Sequence, residues 1–113
     1  MRRMPRNDND MALIIVTAIA ELGHSRWIAN SRPGSHPCCP RRATHAEIAV
    51  MGKVPRQCRE NVTIRVYRVR RDGSIGMARP CVHCQLYLFR EGVRSKNIYW
   101  TDKDGIWQRG VSF

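Results

Sequence analysis

Two short stretches of this chain hold side chains at spacings that can do chemistry. His45-Ala46-Glu47 sets an imidazole two residues before a carboxylate, and Pro80-Cys81-Val82-His83-Cys84 sets two thiols three residues apart behind a proline. Thiols at i and i+3 on a helix end lie close enough to grip one ion, and an imidazole from a second helix makes a third ligand. Three protein ligands leave a tetrahedral zinc ion one position for water, the pattern of a catalytic rather than a structural site. Zinc brings the pKa of such a water near neutrality. Glu47 lies within the same turn as His45; it need not bind the metal, but it can take that water's proton and pass it on. Taken singly, these residues have plainer readings. A lone histidine is more often a core side chain, and a lone Cys-x-x-Cys is as readily a redox pair, but the redox reading leaves His45 and Glu47 without a role. His83, between the thiols, points elsewhere on a helix, toward solvent or substrate.

His-x-Glu followed by Pro-Cys-x-x-Cys is the signature of zinc nucleobase deaminases. On these residues the chain resembles the cytidine/deoxycytidylate deaminase superfamily; the likeness covers about residues 8–112, and its specific part is the two motifs. The resemblance implies that His45, Cys81 and Cys84 hold zinc and that Glu47 shuttles the proton. It also implies that Ala46 touches the base through its backbone, with Pro80 beside the substrate and Asn30 near the sugar. The implied reaction is hydrolytic loss of ammonia, from C4 of cytosine or C6 of adenine. Cytosine in a nucleoside, nucleotide or single-stranded nucleic acid is the leading expectation. An RNA adenosine deaminase and a catalytically silent, zinc-stabilised nucleic-acid-binding module are the alternatives. His45-Ala46-Glu47-Ile48 reads like the transfer RNA adenosine enzymes, but Arg79 stands where those enzymes carry an acidic residue.

Helices and strands alternate around these motifs, which predicts an α/β fold. Asn7-Asp8-Asn9-Asp10, the apolar run after it and Gly23 predict a helix over 9–22. Trp27 to Asn30 reads as a short strand, and the Pro-, Gly- and Ser-rich stretch up to Thr44 as loop. A second helix over 45–54 ends at Pro55. Residues 61–69 form a strand with Val62, Ile64 and Val66 on one side and Arg65 and Tyr67 on the other. A turn over 70–73 leads to a helix over 80–91, capped by Gly92. Strands over 96–101 and 106–112, joined by a four-residue turn, must be antiparallel neighbours. The resemblance implies a three-layer-type cytidine deaminase-like fold, with a mixed sheet and helices that carry the zinc site. An antiparallel C-terminal hairpin goes with the free cytidine deaminases and several bacterial toxin deaminases. The transfer RNA adenosine deaminases and the polynucleotide cytosine deaminases of animals have a helix and a parallel last strand there. No helix follows the last strand, so one sheet face is under-covered and open to solvent, to a second copy of the chain or to nucleic acid.

Length allows one domain, over 8–113, behind a basic arm of residues 1–7. Hydrophobic residues at 42% and charged residues at 26% exclude a chain disordered throughout. Twenty Lys and Arg against nine Asp and Glu give a net charge of +11, which attracts nucleotides or nucleic acid. Arg32, Arg41 and Arg42 lead into the first motif and Arg68, Arg70, Arg71 and Arg79 into the second; arginine suits phosphate, and Arg41, Arg42 and Arg79 are the leading candidate nucleic-acid contacts. Trp27, Tyr87, Trp100 and Trp107 can stack bases, although such aromatics are more often core. Five cysteines, an odd number, argue against a disulfide framework. His24, His36, Cys38, Cys39 and Cys58 have no regular ligand spacing. The start of the chain has some features of a signal peptide, but Asp8 and Asp10 interrupt its basic region and Glu21 follows its apolar run. That run is too short to cross a bilayer. The reading is a cytoplasmic protein, or one acting in the cytosol of a host cell.

Overall fold

The computed structural model describes residues 15–33 and 43–111. Its strands are β1 (Ile15–Leu22), β2 (Ser25–Asn30), β3 (Arg32–Pro33), β4 (Ala43–Thr44), β5 (Thr63–Val69), β6 (Ile75–Gly76), β7 (Ile98–Thr101) and β8 (Trp107–Arg109). The helices are α1 (Ala46–Met51) and α2 (Val82–Arg90), with 3-10 turns at Arg56–Cys58 and Ser95–Asn97. Six strands form one mixed sheet in the order β2-β1-β5-β7-β8, with β6 on the end of β5, and β3 pairs with β4 apart from it. β5 and β7 run parallel; the other pairs are antiparallel.

One expectation fails at the start of the chain. Residues 15–22 are not the end of a helix but β1, flanked by β2 and β5. The run Ile15-Val16-Thr17-Ala18-Ile19 is mostly β-branched, which favours extended backbone. Gly23, with φ of 60°, turns the chain back into β2 instead of capping a helix. The rest of the predicted helix and the basic arm lie outside the described residues. β2 begins at Ser25, ahead of the strand expected from Trp27, and β3, β4 and β6 are additions to the predicted set, β3 and β4 lying in the stretch expected to be loop.

Strand alternation sorts the sheet into two faces. Ala18, Ala20, Ala29, Ile64, Val66 and Ile98 are buried against Ala46, Val50 and Met51 of α1 and Leu88 of α2 in one cluster. Both helices therefore cover the same face. The described residues supply two layers, where the sequence reading expects a three-layer arrangement. The other face carries Arg65, whose guanidinium lies 5.0 Å over the Tyr99 ring and whose Nε donates to Glu21 at 2.9 Å. Arg109 lies over the same ring at 5.6 Å. Tyr67 meets Trp107 edge-on at 6.5 Å, and Trp107 is 46% exposed. As predicted, Val62, Ile64 and Val66 face the core while Arg65 is exposed. No helix among the described residues is long and apolar enough to cross a membrane.

A candidate metal centre

The parallel strands β5 and β7 set the location. Their C-terminal ends lie at one edge of the sheet, the edge from which the chain runs on toward α2, and such edges are where α/β sheets build sites. The segment from β6 to α2 is pinned there. Ala78 N–H donates to the Thr101 carbonyl at 2.8 Å, and the buried Thr101 hydroxyl donates to the Gly76 carbonyl at 2.7 Å. Pro80 is buried, and its carbonyl accepts the Gln85 side-chain amide at 2.8 Å. Cys81 is then the residue before α2, with φ of −69° and ψ of 168°, and its carbonyl accepts the Gln85 N–H. Cys84 sits one turn on and is fully buried. His45 stands just before α1 with extended backbone, and its carbonyl accepts the Ala49 N–H at 3.0 Å.

These local conformations bring the three predicted ligands together although the thiols lie 36 and 39 residues from the imidazole in sequence. His45 Nδ1 is 3.1 Å from Cys84 Sγ and 3.5 Å from Cys81 Sγ, and one ligand atom from each of the three lies within 4.8 Å of the others. Tetrahedral binding with metal–sulfur near 2.3 Å and metal–nitrogen near 2.0 Å calls for ligand atoms roughly 3.5–3.8 Å apart. The two nitrogen–sulfur distances lie within a few tenths of an ångström of that spacing. Its donor set, two thiols and an imidazole, suits a borderline-soft divalent ion. Among the described residues this trio is the group that can hold a metal. Ile48 and Tyr87 pack beside Cys84 and Cys81 and give the site an apolar wall.

Glu47, in the first turn of α1, is 4% exposed. Burial pushes its carboxyl up to about 7, against a smaller opposing effect of its own backbone N–H. A carboxyl that exchanges its proton near neutrality is suited to acid–base work. Ala46, between ligand and carboxyl, is fully buried.

The remaining candidates are placed differently. Asn30 is exposed at the end of β2; the register puts it on the sheet face away from the helices, and its side-chain oxygen accepts the Thr17 hydroxyl at 2.8 Å. Arg79 is exposed, with its guanidinium 5.6 Å over the Trp100 ring. His83 and Val82 face outward, as the helix period requires. Trp27, Tyr87 and Trp100 pack against the core, as does Cys58, and His24 is exposed in the β1–β2 turn. Arg41, Arg42, His36, Cys38 and Cys39 lie outside the described residues. Sequence reasoning missed Gln85, 6% exposed, which locks the backbone ahead of Cys81. The signal was available: Cys81, Cys84, Gln85 and Leu88 follow the i, i+3, i+4, i+7 stripe of an inward helix face, and a polar residue on that stripe needs a buried partner. Comparison with models of protein families, with curated proteins and with solved structures finds no match for the chain.

Proposed function

We propose that this protein is a zinc-dependent hydrolytic deaminase that converts cytosine to uracil in a nucleoside, nucleotide or single-stranded nucleic acid. The observation that carries the reading is the meeting of a three-ligand trio with a buried carboxyl two residues from one ligand. A structural site closes with four ligands and has no use for a carboxyl poised near neutrality. The sheet order and the antiparallel β7–β8 hairpin support the cytidine deaminase likeness of the motifs. That hairpin, with Arg79 before Pro80, favours cytosine over adenine.

His45, Cys81 and Cys84 would hold the zinc. When bound, zinc supplies Lewis-acid activation of water near neutral pH. Glu47 accepts one proton from the attacking water and delivers it to the ring nitrogen N3. Glu47 then carries the second proton to the exocyclic amine. The C4–N bond breaks, a C4–O bond takes its place, and one water is consumed for each ammonia released. The apolar wall of Ile48 and Tyr87 limits competing water, which strengthens the electrostatics of the transfer. Gln85 positions Cys81 through the Pro80 carbonyl.

The test is base conversion read by mass, with zinc-loaded protein offered cytidine, cytidine monophosphate, adenosine, and single-stranded DNA and RNA. Cytosine-to-uracil conversion is the expected result. Adenine-to-hypoxanthine conversion would replace cytosine with adenine, and no conversion by zinc-loaded protein would leave a binding module.

A further inference from the structure

The core row of β5 ends in an anomaly. Val62, Ile64 and Val66 face the helices and are fully buried. By the same alternation the next residue on that side is Arg68, at the edge of the sheet where the segment toward Cys81 begins. Its Nε is buried and has no hydrogen-bond partner among the described residues. A buried donor of a charged group left without an acceptor is costly. Beside it lies a cavity of about 570 Å³ lined by Arg68, Arg70, Arg71 and Asp72.

The lining is built rather than incidental. Arg70 is fixed by Nη1 donating to Ser74 Oγ and the Ile75 carbonyl, both at 3.1 Å, and by Nη2 donating to the Lys103 carbonyl at 2.5 Å. Its side chain crosses Gly76 so closely that a Cβ there would stand 2.9 Å from Arg70 Nε. Asp72, the one carboxylate among the described lining residues, has Oδ1 occupied by the Ser74 N–H at 2.9 Å and the Ser74 hydroxyl at 2.6 Å. Among the described residues, the lining sets three guanidinium groups beside one carboxylate that Ser74 already engages.

We propose that this cavity is a phosphate-binding site, with Arg68 as its buried donor. Guanidinium groups suit phosphate through paired N–H donors, and a phosphate oxygen supplies the acceptor that Arg68 Nε lacks. Arg68 pairs with Gly76, five residues before Cys81. Chain length and strand spacing limit the Cα separation of Arg68 and Cys81 to at most about 23 Å. The phosphate binding stands on the cavity alone. That this phosphate belongs to the substrate rests on the deaminase reading, and it selects a nucleotide or nucleic acid over a neutral nucleoside.

The experiment is calorimetric titration of the zinc-loaded protein with inorganic phosphate, cytidine, cytidine monophosphate, and a short single-stranded oligonucleotide without cytosine. Wild type is compared with Arg68→Gln, Arg71→Gln and the control Arg109→Gln, which removes the same charge from the opposite sheet face. Inorganic phosphate binds wild type, at least tenfold more weakly after either cavity substitution, and within twofold of wild type after Arg109→Gln. Tighter binding of cytidine monophosphate than cytidine, lost with Arg68→Gln, names a nucleotide. Oligonucleotide binding whose salt slope falls by about one with Arg68→Gln names a backbone phosphate. Equal weakening by all three substitutions, or no phosphate binding, overturns the proposal. Arg71 is exposed, so its variant decides the matter if Arg68→Gln does not fold. Because binding is read without turnover, a protein that binds phosphate at Arg68 and converts no base sinks only the deaminase reading. One that deaminates while Arg68→Gln binds like wild type sinks only this proposal.

Discussion

Removing zinc should lower the melting temperature by roughly 10 °C, and the size of that shift follows from the geometry. The ligands are 36 and 39 residues apart in sequence, so the unfolded chain holds no ready site and the ion binds the folded state almost exclusively. The nitrogen–sulfur distances of 3.1 and 3.5 Å already lie close to tetrahedral spacing, so little reorganisation opposes binding. An ion that binds only the folded state stabilises it by about 2.7 kcal/mol at a free concentration one hundred times its dissociation constant. For a domain of this size each kcal/mol moves the midpoint by about 4 °C. The assay is thermal unfolding with zinc held at that excess, against the same protein in chelator. Cys84→Ala removes a buried ligand and should abolish the zinc-dependent part of the shift. An unchanged midpoint in chelator, or an equal zinc response from Cys84→Ala, would refute the idea that this trio is a metal centre.

Further outcomes follow from other residues. In the metal-free protein the raised carboxyl of Glu47 makes the folded state bind more protons than the unfolded one between about 4.5 and 7. Stability from this group is therefore fully present below 4.5 and falls as pH rises toward 7. The loss is on the order of 3 kcal/mol, and Glu47→Gln should flatten that slope in denaturant titrations across the window. Gln85→Leu leaves the buried Pro80 carbonyl without its donor; zinc affinity, measured by competition with a chelator, should fall about tenfold. Leu88→Ala empties a fully buried position in the core beneath α2 and should cost about 2–5 kcal/mol in chemical unfolding while leaving zinc stoichiometry at one.

The metal trio was legible in the sequence because ligand chemistry depends on residue type and spacing, which a sequence displays directly. β5 and α2 were legible for the same reason: Val62, Ile64 and Val66 alternate with Arg65 and Tyr67, and Pro80 and Gly92 bracket α2. β1 was not, because a continuous apolar run carries neither period. Only its burial, with Ala18 and Ala20 hidden while Ile15 is 41% exposed, reveals the alternation. Gly23 compounded the error, since a glycine of positive φ serves a helix end and a tight hairpin equally well. β6 has no local signature, and the run of Arg68, Arg70 and Arg71 displays its charge in the sequence but not the cavity it lines. Both depend on which segments the sheet brings to the end of β5. Asn30 shows the limit of carrying a residue over by position, since its orientation depends on the β1–β2 register.

The most direct test of the central claim is single-turnover deamination of a cytosine substrate by wild type and Glu47→Gln, with zinc content and melting temperature measured on the same samples. The account predicts equal zinc occupancy, a folded variant, and turnover reduced at least a thousandfold, on the order of 10³ or more as expected for a lost proton carrier. Turnover that survives in a zinc-loaded Glu47→Gln protein would contradict it.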